Sequence, residues 1–267
     1  MKIPFFQVDA FTNKAFQGNP AGVCILNQKM PDSWMQSIAF EMNFSETAFI
    51  SFASNKKLDI RFFTPTTEVP LCGHATLSSA YVLWEENFIQ KNCPIRFYSK
   101  SGKLDAELVD GWIALQFPVD LFREVSIPPI ISELIGTEPI KMYRTVFCDY
   151  YLIELFSEKS VQSLSPNFEG LVKEGFNEVI TTAKCNTGLI DFVLRFFAPG
   201  VGINEDPVTG SAFCSLGPYW AKRLNKNELI GKQISKRGGT VKVQIKDETS
   251  VTLLGKAISV MRGELLI

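Results

Sequence analysis

The chain has one histidine in 267 residues, and it stands among other groups that can do chemistry. His74 follows Cys72 and Gly73 within the stretch RFFTPTTEVPLCGHATLSSAYVL, Arg61 to Leu83. Glu46 lies upstream between Phe44 and Phe49, an apolar setting in which desolvation raises a carboxyl pKa and suits the group to general acid–base work near neutral pH. Taken singly, each has a plainer reading: His74 as a helix-terminal hydrogen-bonding residue, Glu46 as a surface carboxylate at a strand end. What favours chemistry at His74 is its place beside a glycine that opens a helix, because such a start presents unpaired N–H groups to an anion.

The elements that position these groups follow from the same residues. Thr64, Pro65, Thr66 and Thr67 end an apolar strand, and after Gly73 the small or apolar Ala75, Leu77, Ala80 and Leu83 mark a buried helix. This unit occurs twice. Arg195-Phe196-Phe197-Ala198-Pro199 repeats Arg61-Phe62-Phe63-Thr64-Pro65, and Glu205, Pro207, Gly210, Ala212 and Ser215 fall opposite Glu68, Pro70, Gly73, Ala75 and Ser78. Upstream, Phe176-Asn177-Glu178 matches Phe44-Ser45-Glu46. Ordered matches of this kind mark a duplicated α/β unit, so segments 44–81 and 176–219 are expected to superpose. Gly73, Gly210 and Ser211 thereby become candidates for holding one anionic ligand at two helix starts, with ordinary capping as the plainer account of each. Asp206 and Glu205 precede Pro207 in the second loop, where turn formation and compensation of the helix dipole would explain acidic residues without chemistry.

Charge and composition narrow the partners. With a net charge of −1, a pI near 6.0 and no basic cluster larger than the short group Lys232 to Arg237, nucleic acid and membrane surfaces are poor candidates. The opening MKIPFFQVDAF is cut by Pro4 and ended by Asp9, too short for a signal h-region, and no run approaches a membrane span; a cytoplasmic protein is expected. The six cysteines, at 24, 72, 93, 148, 185 and 214, form no C-x-x-C and read as free thiols. With one histidine and no ligand spacing, no metal is assigned. The absence of G-x-G-x-x-G and of G-x-x-x-x-G-K-[ST] speaks against a dinucleotide or nucleoside triphosphate, so no cofactor is expected. Cys72 would suit a two-thiol epimerase, but its counterpart in the second copy is Thr209, which leaves it as a buried neighbour.

Along the chain, strands are expected at Lys2–Val8, Ala21–Leu26, Ala48–Ser54 and Leu58–Phe63, with a turn at Asn55-Lys56-Lys57 and a short helix from Pro31-Asp32-Ser33 to Met42. Ile95–Ser99, Leu104–Val109 and Trp112–Phe117 read as an antiparallel meander. Pro118 and the turn-prone stretch after it divide the chain into domains 1–118 and 119–267, the last strand being able to return to the first domain. In the second half, short helices are expected near Ile131–Leu134 and Leu171–Glu174. Strands are expected around Met142–Val146, Tyr150–Leu155, Val179–Ala183 and Phe192–Phe197, then a loop Asn204–Ser211, a helix Ala212–Leu224 and closing strands from Thr240 on.

Several motifs together resemble the phenazine-biosynthesis PhzF-like family: Asp9-Ala-Phe-Thr, Gly18-Asn-Pro-Ala, Glu41-Met-Asn-Phe-Ser-Glu-Thr-Ala48, Arg61-Phe-Phe-Thr-Pro, Glu68-Val-Pro-Leu-Cys-Gly-His-Ala-Thr76, Glu205-Asp-Pro-Val-Thr-Gly-Ser-Ala212 and Arg237-Gly-Gly. They run in family order along almost the whole chain. The resemblance implies an α+β fold of two similar domains, diaminopimelate epimerase-like, each a mixed sheet curled around a central helix, with the active site in the cleft between them. It implies Glu46 as the general acid–base residue, His74 and Asp206 as its companions, and Gly73, Gly210 and Ser211 as substrate-carboxylate contacts. The activity implied is a cofactor-independent isomerisation by proton transfer on a small carboxylated substrate, such as a dihydro-hydroxyanthranilate, in a homodimer. The alternatives are an amino-acid racemase or epimerase, and a ligand-binding protein of the same fold without catalysis. Two positions depart from the family pattern: Phe213 replaces an expected histidine, and Pro70 stands where a polar residue is common.

Overall fold

In the computed structural model, which describes residues 2–52, 57–186 and 188–266, the apolar alternations of the sequence become strands and its small-residue segments become two buried helices. In chain order the first elements are β1 (Lys2–Ala10), β2 (Asn19–Leu26), α1 (Asp32–Met42), β3 (Glu46–Phe52), β4 (Leu58–Phe63), β5 (Glu68–Val69), α2 (Gly73–Glu85), β6 (Ile95–Ser99), β7 (Gly102–Val109) and β8 (Trp112–Pro118). There follow β9 (Phe122–Glu124), α3 (Ile130–Ile135), β10 (Lys141–Thr145), β11 (Tyr151–Glu154), α4 (Glu158–Gln162), α5 (Phe168–Lys173), β12 (Val179–Lys184), β13 (Phe192–Ala198) and β14 (Ile203–Asp206). The chain closes with α6 (Gly210–Leu224), β15 (Glu228–Gln233), β16 (Gly239–Ile245), β17 (Ser250–Gly255) and β18 (Ala257–Leu266). Two units result: Met1–Gln116 with Leu254–Ile267, and Phe117–Leu253.

Within the first unit β2 runs parallel to β3, β3 antiparallel to β4, β4 antiparallel to β5 and parallel to β6, and β6 antiparallel to β7. The second unit repeats each relation with β11, β12, β13, β14, β15 and β16. Side chains repeat as well. Arg61 grips Glu68 through Nε and Nη2 at 2.7 and 2.6 Å, and Arg195 grips Glu205 in the same bidentate manner at 2.7 and 2.9 Å. Each guanidinium also covers a phenylalanine two residues on, Phe63 at 5.1 Å and Phe197 at 4.8 Å. These forks tie the short strand before each helix to the strand that precedes it, which fixes where the helix begins.

The helices are buried because their small residues let strands close on them. From His74 to Ala80 every residue of α2 is buried, against β1, β2, β3, β7 and β18. Leu77 and Leu83 are fully enclosed, and burial of such a side chain stabilises by about 1.5–3 kcal/mol. In the second unit, Tyr219 of α6 donates to Glu154 at 2.7 Å and Trp220 donates to Thr182 Oγ1 at 3.0 Å, reaching β11 and β12. Gly217 admits β16: a Cβ there would come 2.6 Å from Cγ1 of Val243. Pro218, inside α6, has no N–H to give to the Cys214 carbonyl. Asp120 N–H takes its place, donating to that oxygen at 3.2 Å.

Several boundaries differ from the sequence reading. β3 starts at Glu46, two residues earlier than expected; its expected end at Ser54 and the start of the turn at Asn55 and Lys56 lie outside the described residues. Part of the expected loop Asn204–Ser211 is strand β14, and Gly210 and Ser211 form the first turn of α6. The elements β5, β9, α4 and β15 were not anticipated. Among the described residues no helix is long and apolar enough to cross a membrane, and all six cysteines are thiols rather than disulfides.

Candidate active site

Glu46 is brought to the start of α2 by pairing: as the first residue of β3 it lies opposite Ala21 of β2. Phe44, just before it, stacks on Phe5 with ring centroids 6.3 Å apart and sets the entry of the strand. The carboxylate then points at the helix. Oε2 lies 3.2 Å from Nε2 of His74, with the glutamate side chain 20% exposed and the histidine 8%. Cys72 occupies the position before the helix in extended conformation, and its Sγ is 3.5 Å from Nδ1 of His74. Burial pushes the His74 pKa down to about 4. The imidazole is therefore neutral at neutral pH. Nδ1 is the ring nitrogen nearer the Cys72 thiol, and the 3.2 Å approach of Nε2 to Glu46 Oε2 is a contact without hydrogen-bond alignment.

The start of α2 has no side-chain cap, and neither has the start of α6. Helix α4 and α5, by contrast, are capped by Ser157 and Asn167, whose oxygens accept from Ser160 N and Gly170 N. Gly73 is thus a helix start whose backbone donors receive no capping bond from the side chain of the residue before it.

In the second unit Asp206 ends β14, and Gly210 and Ser211 begin α6, so these three lie on one short loop. The loop is held from inside. Fully buried Gln233 donates from Nε2 to the Asp206 carbonyl at 2.7 Å and accepts Thr209 N–H on Oε1 at 2.9 Å. Thr209 Oγ1 donates a short hydrogen bond to the Asp206 carboxylate, and Ser235 Oγ donates to the Pro207 carbonyl at 2.7 Å. Ser211 Oγ meets the hydroxyl of Tyr150 at 3.1 Å. Thus the structure joins Glu46, Gly73 and His74 in the first unit, and Asp206, Gly210 and Ser211 in the second.

Sequence reasoning missed Gln233 and Tyr150 and rated Cys72 as a mere neighbour. Gln233 had no signal, because its strand was not recognised. For Cys72 the signal was its adjacency to His74 across one glycine. The two departures also find their places: Phe213 is fully buried against Phe192, ring centroids 5.9 Å apart, and Pro70 is exposed.

Two units of repeated topology, each with a mixed sheet around a buried helix, define the diaminopimelate epimerase-like class of α+β fold. A family model, PhzC-PhzF, phenazine biosynthesis-like protein, matches residues 8–263, and the chain belongs to that family. It is 48% identical over 270 residues to an uncharacterized isomerase of Halalkalibacterium halodurans, covering 100% of both chains. An uncharacterized isomerase of Pseudomonas aeruginosa is 42% identical over 266 residues, with 99% of each chain covered. The crystal structure of a PhzF-family phenazine biosynthesis protein of Enterococcus faecalis matches with a TM-score of 0.93 at 37% identity, covering 100% of both. The chain is accordingly an enzyme of the isomerase class.

Proposed function

We propose that this isomerase moves a proton on a small carboxylated substrate, with Glu46 taking the proton from one carbon and returning it to another. The observation that carries this reading is the 3.2 Å contact of Glu46 Oε2 with His74 Nε2 at the uncapped start of α2. A carboxylate in a partly desolvated corner is suited to general-base work, and a neutral imidazole 3.2 Å away fixes its surroundings. His74 is in this reading a positioning group, and Asp206 a companion that orients the substrate. The backbone donors at Gly73 suit a substrate carboxylate, as helix starts suit anions, and so in the second unit do those at Gly210 with the Ser211 hydroxyl. A dihydro-hydroxyanthranilate-like ring acid would meet these requirements, and the chemistry needs no cofactor.

The test is exchange. The enzyme is incubated in deuterated water with a library of small carboxylates, cyclic acids and amino acids included, and label is sought by mass spectrometry. Enzyme-dependent exchange that disappears in Glu46→Gln supports the reading. Exchange that persists in Glu46→Gln and is lost in Cys72→Ala would replace it with thiol-based racemase or epimerase chemistry.

A further inference from the structure

Glu46, Cys72 and His74 each offer a donor atom, and these three atoms all lie within 4.8 Å of one another. Ligand spacing along the sequence gave no sign of this, because Glu46 comes from β3 while Cys72 and His74 flank the first residue of α2. We infer that this corner binds one thiophilic divalent cation, of which Zn²⁺ is the representative, and that the cation reversibly inhibits the isomerase.

The distances fit. Zn–N and Zn–O bonds of about 2.0–2.2 Å and Zn–S bonds of about 2.3 Å at tetrahedral angles place ligand atoms roughly 3.3–3.8 Å apart. Here His74 Nε2 is 3.2 Å from Glu46 Oε2 and 3.9 Å from Cys72 Sγ, while Sγ lies nearer Nδ1, at 3.5 Å, so a cation on Nε2 enters with rotation of the Cys72 side chain toward that nitrogen. Sulfur, imidazole and carboxylate together select Zn²⁺ or Co²⁺ over Mg²⁺ and Ca²⁺, which take oxygen ligands. Three protein ligands leave a fourth position open, a geometry that holds a cation without enclosing it. The balance is simple: the Cys72 thiol gives its proton to solvent and binds as thiolate, and the neutral His74 binds through Nε2 with its proton on Nδ1. No oxidant or reductant is involved.

That the bound cation inhibits rests on the proposed acid–base reading, since the cation occupies the Glu46 oxygen that faces His74 and fixes both side chains. Binding itself does not depend on that reading, and the experiment separates the two. The metal-free full chain is titrated with Co²⁺ in absorption. The expected result is a sulfur-to-cobalt charge-transfer band and strong tetrahedral d–d bands saturating at one equivalent, in the wild type and in Cys93→Ser, which removes an exposed thiol. Cys72→Ser should abolish the charge-transfer band and weaken Co²⁺ binding by more than the about 10–100-fold that loss of a merely outer-shell partner costs. Zn²⁺ should also protect Cys72 of the wild type from alkylation, read by peptide mass spectrometry, so that the outcome does not depend on how a variant folds. On a confirmed substrate, Zn²⁺ should slow deuterium exchange in the wild type, and a chelator should restore it.

Absence of the band, or its persistence in Cys72→Ser, or equal alkylation of Cys72 with and without Zn²⁺, overturns the site. A band present with exchange unaffected by Zn²⁺ overturns the inhibition. Exchange that survives Glu46→Gln removes the acid–base reading and leaves the metal site standing.

Discussion

The phenolic oxygen of Tyr150 lies 3.1 Å from Oγ of Ser211, which joins the residue before β11 to the first turn of α6. Two hydroxyls in mutual contact have two protons between them, and one is used in the contact. One donor remains for a ligand. If Ser211 gives it to a substrate carboxylate, Ser211→Ala should weaken binding by about 0.5–1.5 kcal/mol, the worth of one hydrogen bond. The Tyr150 hydroxyl, released from its partner, then becomes the nearest substitute donor. Tyr150→Phe should therefore cost more in the Ser211→Ala background than in the wild type, a coupling that titration calorimetry on four proteins measures directly. Equal costs in both backgrounds would show that Tyr150 only supports the helix.

Gln233 makes a different kind of prediction. Its amide is fully buried and clasps the loop that carries Asp206 through the Asp206 carbonyl, the Thr209 N–H and Thr209 Oγ1. Gln233→Leu keeps the volume and leaves a buried N–H and a buried carbonyl without their partners, each worth about 1–3 kcal/mol when orphaned. The urea midpoint should fall accordingly, and label exchange on a confirmed substrate should slow. A midpoint equal to the wild type would mean that the loop is held from elsewhere.

What the sequence made legible, and what it hid, divides along the same line. β4, α2 and α6 are visible because their roles are served by hydropathy: apolar strands and small-residue helices. β15 is not, since two of its inward positions answer to other needs. Gly231 is there because a Cβ would come 2.4 Å from the Phe192 ring, and Gln233 is there to hydrogen-bond a loop. Neither adds to an apolar alternation. β14 is likewise hidden, because its residues are exposed or half-buried and it exists through pairing of Asp206 with Phe196 and of Ile203 with Ala198. The site motifs were readable as repeats. The contacts of Cys72 with His74 and of Tyr150 with Ser211 were not, since they depend on side-chain direction at a helix start and on the turn in which Asp149 takes a φ of 60°.

That turn depends on Asp120. Its carboxylate, 3% exposed, accepts Phe147 N–H at 2.7 Å and Cys148 N–H at 3.1 Å, while its own N–H meets the Cys214 carbonyl that Pro218 leaves open. Asp120→Ala strands two part-buried donors, and a loss of about 1.5–3 kcal/mol is expected from chemical denaturation, the range for bonds to charged groups. Asp120→Asn keeps one acceptor oxygen and should cost less. The order reversed would show that the charge itself is unfavourable there.

Acid stability should report Asp247. Thr249 and Ser250 each donate a backbone N–H and a hydroxyl to its carboxylate, at 2.7–3.0 Å. These bonds, those from Thr249 foremost, lower its pKa from 3.8 to about 2. As pH falls, the unfolded chain takes up this proton first, so the stabilisation is present above pH 3.8 and is lost between there and about pH 2. In Asp247→Asn the acid limb of a stability-versus-pH curve should be flatter over that window. An unchanged limb would mean that the turn is equally formed in the unfolded chain.

The last prediction concerns Glu46, which meets His74 at 3.2 Å and begins the strand beside α2. Glu46→Gln preserves the shape of the side chain and keeps an oxygen facing His74 Nε2. It cannot take up and return a proton. Thermal stability and binding of a confirmed carboxylate should therefore stay near the parent values, while deuterium exchange falls by about 10²–10⁴-fold, the usual contribution of a positioned acid or base. Glu46→Asp keeps the acid but withdraws it by one methylene from the site that β3 defines, so exchange should fall with the group's reach and not with its chemistry. His74→Gln, which keeps a neutral polar side chain toward Glu46, should stand between the parent and Glu46→Gln. If Glu46→Gln loses binding in parallel with exchange, Glu46 is a ligand contact and the proton carrier must be sought in the thiol behind His74.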